Sequence, residues 1–492
     1  MSTIQIDQLT FRYPGADAPV FDKLSLNLDT TWRLGLIGRN GRGKTTFMNL
    51  LRGQLSGHGL IKNPVTFNYF PDAAINRSQT VMAIMTSTGA EEWQASMELD
   101  RIGLDESYEQ RLFDTLSGGE QTRVLLARGF VNENDFPLID EPTNHLDIEG
   151  RQVVGAYLRQ KQGFICVSHD ESFLNLFVDH VMSLNRSSMD LVAGNVENWQ
   201  TDKERRDNAA TTQNEHLQHR IKQLSSRANI QREWAEKRER ESNDASSRRM
   251  AKKLMSRAKV FEHRTGIAIE QRKGLMNDVD QVDRLRTNVQ QTSGGQLLFS
   301  LRDFSVKRQN GPLFQPISLD FHRGDRLAII GSNGVGKTSL LNLLRGQEKL
   351  NYEGYLMNDL PQDIGYLSQQ FTDFITDGSF ERWRDHHDET TVWNLMHQLG
   401  VSRPRLKAPT SEWSMGEMKK AALAVSLSEP HEILIWDEPT NYLDIDAREQ
   451  LQTLIQQVRP TMVLIDHDRH FIEETCTQQM TLNKFENVPH VH

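Results

Sequence analysis

The sequence predicts an α/β protein: two phosphate-loop domains joined by a long antiparallel α-helical hairpin. Three observations predict it. Four strings recur in the same order along the 492 residues: GRNGRGKTT at 38 and GSNGVGKTS at 331, LSGGE at 116 and WSMGE at 413, LIDEPTNHLD at 138 and IWDEPTNYLD at 435, VSHDESF at 167 and IDHDRHF at 465. Their offsets, 293, 297, 297 and 298, are nearly constant, so a domain of about 200 residues is duplicated. In each copy a short apolar run leads into a glycine-rich turn and then a helical pattern, the opening of a parallel α/β domain. Between the copies the chain is highly charged, lacks proline and carries apolar residues at coiled-coil spacing. The expected boundaries are 1–196, 197–296 and 297–492.

Each copy begins with alternating apolar residues, Ile4, Ile6, Leu9 and Phe11 in the first and Leu298, Ser300, Leu301 and Phe304 in the second. LGLIG at 34 and LAIIG at 327 follow as strands, and TTFMNLLRG and TSLLNLLRG as the helices after the turn. FPLID, FICVS, ILIWD and MVLID are continuous apolar runs, the pattern of strands buried on both faces. In the connector, Leu217, Ile221, Leu224 and Ala228, and again Leu254, Ala258 and Phe261, repeat every three or four residues. The polar break SNDASS at 242–247 separates two helical arms, each reaching on the order of 60 Å.

Composition narrows the function classes. With 37% hydrophobic and 25% charged residues the chain is ordinary globular protein, and nothing in it approaches the roughly 18–20 apolar residues of a membrane span. The N-terminus alternates like a strand and lacks a signal peptide's apolar core, so a cytoplasmic location is expected. The two cysteines, Cys166 and Cys476, exclude a disulfide framework and are read as buried thiols. Net charge is −9, yet residues 220–264 hold 14 Lys or Arg against 6 Asp or Glu, +8 in a stretch that leaves −17 elsewhere. Such segregation suits a rod aimed at a polyanion; the alternative is a solvated helical spacer.

The chemistry lies in the repeated strings. Residues 38–45 and 331–338 both match G-x-x-x-x-G-K-[ST]. Gly38, Asn40, Gly41, Gly43, Thr46, Gly331, Asn333, Gly334, Gly336 and Ser339 would build two loops whose amides curl around phosphates. Lys44 and Lys337 would reach the terminal phosphates of ATP, with Thr45 and Thr338 on Mg²⁺. Asp140-Glu141 and Asp437-Glu438 close apolar strands: the first carboxylate suits Mg²⁺ and the second suits polarising an attacking water. His169 and His467 follow the next strand in both copies and read as γ-phosphate sensors. Ser117, Gly118 and Gly119 open a helix as a further anion-binding start, and Ser414, Met415 and Gly416 are their counterparts. With no lysine or carboxylate of its own, that start makes sense only against a nucleotide held elsewhere.

Taken together and in duplicate, these motifs resemble the ATP-binding-cassette superfamily along essentially the whole chain. Two cassettes without a membrane segment, DEPTNHLD, DEPTNYLD and the long charged connector look like its F branch. The resemblance implies a cytoplasmic ATPase that binds the ribosome, contacting rRNA and tRNA at the exit site, and directs its connector toward the peptidyl-transferase centre. LGLIGRNGRGKTT, FPLIDEPTNHLD and the unusual S-M-G signature look most like the Lsa- and Vga-type ribosomal protection proteins, implying resistance to lincosamides, pleuromutilins and A-type streptogramins.

The resemblance also implies a monomer acting as an internal pseudo-dimer, with no membrane or DNA partner and two ATPs between its halves. One site would join Lys44, Thr45, Asp140, Glu141 and His169 to Ser414, Met415 and Gly416. The other would join Lys337, Thr338, Asp437, Glu438 and His467 to Ser117, Gly118 and Gly119. Gln369 matches the family's Mg²⁺- and water-contacting glutamine, whereas Asp72 stands at that position in the first copy. Tyr13 can stack on adenine; VKRQ at 306–309 offers no aromatic. These differences lead us to expect faster hydrolysis at the Lys337 site. In the connector Arg248, Arg249, Lys252, Lys253, Arg257 and Lys259 would contact RNA phosphates, and Trp234 would stack on a base or pack between the arms. Two alternatives stand beside this reading: a housekeeping translation factor without a drug phenotype, and the ATPase subunit of a transporter.

Overall fold

The computed structural model describes residues 2–15, 18–72, 74–132, 134–184, 189–240, 256, 285, 294–308, 311–387 and 389–485. The chain divides into two units, one of Met1–Val196 with Val282–His492 and the other of Glu197–Gln281.

In the larger unit the first half folds into two sheets. Strands β1 (Thr3–Phe11), β2 (Phe21–Asp29) and β4 (His58–Lys62) form an antiparallel sheet in the order β2-β1-β4. The alternating residues of β1 turn Ile4, Ile6, Leu9 and Phe11 into its core, across a bulge that sets Gln8 at φ 48°. A second sheet holds β3 (Arg33–Gly38), β5 (Thr66–Phe70), β6 (Asp135–Asp140), β7 (Phe164–Val167), β8 (His180–Leu184) and β9 (Met189–Ala193), in the order β5-β6-β7-β3-β8-β9. It is parallel except for β9. The apolar runs FPLID and FICVS are its inner strands β6 and β7, buried on both faces because helices cover them.

The second half repeats the plan. β10 (Leu297–Arg308) pairs with β11 (Gly311–Pro312), β12 (Ile317–His322) and β14 (Asn351–Asn358) in an antiparallel sheet. β13 (Arg326–Gly331), β15 (Ile364–Leu367), β16 (Ile433–Asp437), β17 (Met462–Ile465) and β18 (Gln478–Leu482) form a parallel sheet ordered β15-β16-β17-β13-β18.

In both halves the strand before the glycine loop lies beside the strand that leads to the histidine, which lies beside the strand that ends in the carboxylate pair. All three strands run the same way, so their carboxyl ends gather the candidate residues at one edge, where open α/β sheets bind ligands. Among the described residues no helix is long and apolar enough to cross a membrane.

A continuous helix, Val196–Arg240, 45 residues long and so about 68 Å, belongs to the second unit in all but its first residue. Leu217, Ile221 and Leu224 are half-buried, as is Ser225, while residues 218–220, 222 and 223 are exposed, a seam at the spacing the sequence shows. The returning arm of the expected hairpin, its break at 242–247 and Arg248, Arg249, Lys252, Lys253, Arg257 and Lys259 lie outside the described residues.

Candidate functional site

Each glycine loop ends in a helix, Lys44–Leu51 or Lys337–Leu344, capped by a glycine in left-handed conformation. Gly43 sits at φ 100°, and a Cβ there would lie 2.5 Å from Val20; Gly336 sits at φ 109°, with a Cβ 2.9 Å from Leu313. Only glycine fits these turns, which carry the chain from the loop into the positive end of the helix, where an anion is favoured. Lys44 Nζ donates to the carbonyls of Gly38 (2.6 Å) and Arg39 (3.3 Å), and Lys337 Nζ to those of Gly331 (2.7 Å) and Ser332 (3.2 Å). Burial lowers the pKa of both lysines.

At the strand ends the hydroxyl of Thr45 donates to Asp140 Oδ2 at 3.2 Å and that of Thr338 to Asp437 Oδ2 at 2.9 Å. A hydroxyl and a carboxylate meeting beside a phosphate loop are the hard oxygen donors that suit Mg²⁺. Among the described residues no group of three or more His, Cys, Asp or Glu could hold a metal ion unaided. The next residue in each half, Glu141 at φ 49° and Glu438 at φ 52°, is held in the left-handed region. Its amide donates to the neighbouring strand, Glu141 to Val167 O at 2.9 Å and Glu438 to Ile465 O at 2.7 Å. Such strain persists only where surroundings enforce it, and both carboxylates are turned by it toward the loop edge.

The two glutamates differ electrostatically. Burial and the adjacent Asp140 push Glu141 up to about 7, and its Oε1 is buried without a hydrogen-bond partner. Burial acts the same way on Glu438, but His467 Nε2 at 3.6 Å, the amide of Gln369 donating at 2.9 Å and Lys337 hold it below the usual glutamate value. Asn441 donates to its other oxygen at 2.7 Å. Gln369, expected on Mg²⁺, thus meets Glu438. Asp437 is pushed up to about 6 by burial and by Glu438. His169 Nε2 lies 3.5 Å from Glu141 and 3.0 Å from Asn40 Oδ1, and burial drives its pKa far down.

Asp72 requires a correction. Its carboxylate pairs with Arg128 at 3.0 Å and accepts from the Ala74 amide, so the acid expected at the Lys44 site faces another cavity. The Arg128 guanidinium holds the carboxylate there through a charge-assisted hydrogen bond. Tyr69, on the preceding strand, instead reaches the site. Tyr13 Oη shares a 2.9 Å hydrogen bond with Thr46 Oγ1, and Arg308 takes the matching place in the second half, donating to Ser339 at 3.2 Å.

The two signature helices start alike. Ser117 accepts from the Glu120 amide while Glu120 reaches back to the Ser117 amide, and Ser414 and Glu417 repeat this capping box. Gly119 and Gly416 sit in the first turns; a Cβ on Gly416 would meet Asn40 of the opposite half at 3.0 Å. Met415 is 41% exposed.

The halves touch through these residues. Asp147 Oδ2 accepts from the Asn333 amide at 3.0 Å and Asp444 Oδ2 from the Asn40 amide at 3.1 Å. Arg39 pairs with Asp446, and Arg151 donates to His467 O at 3.0 Å. A cavity of about 420 Å³ is lined by Lys337, Thr338, Ser339, Gln369, Glu438, His467 and, from the first half, Gly118. A second, about 400 Å³, is lined by Tyr13, Asn40, Gly41, Gly43, Lys44, Thr45, Thr46, Asp140, Glu141 and His169.

Four groups escaped the sequence reading: Tyr69, Arg308, Asn441 and the aspartates Asp147 and Asp444. Of these, Asn441, the N of the second DEPTN string, and the two aspartates, in the LD that follows each string, carried a signal.

Comparison with known proteins supplies the family. The ABC transporter family matches residues 21–144 and 314–441. The ribosome protection protein VmlR of Bacillus subtilis is 28% identical over 96% of this chain and 85% of its own length. The ATP-binding protein Uup of Caulobacter vibrioides is 28% identical over 94% of this chain and 75% of its own. An archaeal ribosome recycling factor, aABCE1, solved in complex with the ribosomal stalk protein aP1, shares the fold at TM-score 0.60 and 17% identity, over 96% of this chain and 87% of that one. With two cassettes in one chain, each carrying its own phosphate loop and carboxylate pair, this protein is an ATP-binding ATPase that belongs to the ABC transporter family, in its F branch.

Proposed function

We propose that this chain is a cytoplasmic, ATP-dependent ribosome-binding protein in three parts, 1–196, 197–296 and 297–492, whose connector meets RNA near the peptidyl-transferase centre and protects the ribosome from antibiotics. One observation carries the clasp on which this rests: Gly118 of the first half lines the cavity of Lys337 in the second. ATP bound there would touch both halves at once, so binding and hydrolysis would set how firmly they close. The likeness to the ribosome protection protein VmlR over 96% of this chain and 85% of that one supports the ribosome as partner.

Within each site the loop amides and Lys44 or Lys337 bind the phosphates. Thr45 with Asp140, and Thr338 with Asp437, would hold Mg²⁺, which would neutralise phosphate charge. Glu438 orients the attacking water for in-line displacement, kept ionised and aimed by Gln369 and Asn441. Glu141 has no such donor on Oε1 to aim it at a water, so the Lys337 site turns over faster and the Lys44 site retains ATP longer.

The test is sedimentation with ribosomes of the double variant Glu141→Gln, Glu438→Gln. It should stay bound in ATP while the wild type cycles off; a variant that ignores ribosomes in every nucleotide would remove the reading. Susceptibility to lincosamides, pleuromutilins and A-type streptogramins, with and without the gene, separates protection from a housekeeping role.

A further inference from the structure

The two halves differ at a buried charge that the repeated motifs do not include. On the second signature helix, Met415–Ser428, Lys420 is 2% exposed and its Nζ donates to Asp444 Oδ2 at 3.0 Å. The same carboxylate oxygen accepts from the Asn40 amide of the first half, while Oδ1 caps its own helix through the Ala447 amide. Asn40 Oδ1 in turn meets His169 Nε2 at 3.0 Å, and His169 lies 3.5 Å from Glu141. A chain of polar contacts therefore runs from one signature helix, across the interface, to the carboxylate of the opposite site.

The first half lacks this arrangement at the matching position. Arg123, 297 residues earlier, donates to the carbonyls of Ile102 and Gly103. Asp147 is half-buried and accepts from the amides of Asn333 and Gly150. His467 Nε2 lies 3.6 Å from Glu438 and makes no hydrogen bond of the kind His169 makes to Asn40.

We propose that Lys420 is a positioning residue for the Lys44 site, acting across the interface by fixing Asp444, which holds the Asn40 amide and so sets His169 beside Glu141. A buried carboxylate with no counter-charge is unstable where it is and turns elsewhere or takes up a proton. Without Lys420, Asp444 would release the Asn40 amide, and the loop that must surround phosphate would lose one of its anchors on the second half, keeping Arg39 on Asp446 and the Asn40 side chain on Tyr442 O. The Lys337 site, built without such a lysine, would be indifferent. This inference rests on the two-site reading above.

The experiment measures ATP turnover in two backgrounds. In Glu438→Gln, where the Lys44 site is the one left to hydrolyse, Lys420→Met should lower kcat on the order of 10- to 100-fold with KM changed less than about threefold. In Glu141→Gln the same substitution should change kcat less than about twofold. If Lys420→Met does not fold, Lys420→Met with Asp444→Asn leaves no lone buried charge and should show the same selective loss. Equal losses in both backgrounds, no loss in either, or abolition of all turnover by each Gln substitution alone would overturn the proposal. If neither Gln substitution lowered total turnover, the assignment of Glu141 and Glu438 would itself fail, a result independent of Lys420.

Discussion

Tyr69 Oη donates a 2.7 Å hydrogen bond to Asp140 Oδ2, the same oxygen that accepts from Thr45. Burial and the Asp140 charge raise the phenol's pKa, so it remains a donor, and the Arg52 guanidinium lies 4.4 Å over its ring. Tyr366 occupies the matching strand position in the second half and lies 3.2 Å under Arg345, while Asp437 takes its bond from Thr338. The candidate Mg²⁺ carboxylates are therefore held by different partners in the two halves.

Tyr69→Phe should then cost about 1.5–3 kcal/mol of stability, the scale of a hydrogen bond to a charged group, and Tyr366→Phe less. Urea midpoints of the two variants measure the difference. Equal shifts would mean that the phenol contributes packing alone.

Glu438→Gln should lower ATP turnover more than Glu141→Gln, by about 100-fold or more if Glu438 supplies most of the base catalysis. Steady-state phosphate release from the two single variants decides this, and equal losses would remove the asymmetry of the sites.

Lys419 neighbours Lys420 on the same helix, is 1% exposed and stands 4.7 Å from the Phe371 ring. Burial depresses its pKa to about 8, against partial compensation from Glu438, Asp466 and Asp437. Below pH 8 the lysine is charged in both folded and unfolded chains, and the folded state bears the desolvation. Between about 8 and the ordinary lysine value the unfolded chain binds more protons, so this group's contribution to stability rises with pH. Lys419→Met should stabilise the protein by on the order of 1 kcal/mol at pH 7, a gain that shrinks from pH 8 upward. Denaturant midpoints at pH 7, 8.5 and 10 would show it; a gain independent of pH contradicts a charge cost.

The thiols should be inert in the folded protein. Cys166 is fully buried and its pKa is raised far above that of a free thiol by burial and by Glu141, while burial pushes Cys476 up to about 11. A thiol reagent at pH 8 should label neither within minutes natively and both of the chain's two cysteines in denaturant. Rapid native labelling of Cys166 would show that the strand β7 opens.

The duplicated fold was legible because its signals are local. A strand buried on both faces needs a continuous apolar run, as in FICVS, and a loop that wraps phosphate needs glycines where a Cβ would collide, as at Gly43 and Gly336. Asp72 was misplaced for the opposite reason. Alignment of YFPD with YLSQ fixes a residue's position along the strand, but a salt bridge to Arg128, 56 residues away, fixes where its carboxylate goes.

The amino-acid sequence by itself determined the two cassettes and their order and marked the lysines, carboxylates and histidines of both candidate sites and the charged connector, since each depends on spacing within a few turns of chain. Only the tertiary structure decided which half of each pair is which. It set Glu141 against Asp140 with an unpartnered oxygen, gave Glu438 two donors, and brought Lys420 to Asp444 and so to Asn40, 404 residues from that aspartate. Burial, counter-charge and contact across an interface are properties of the space around a residue, and no string of neighbours encodes them.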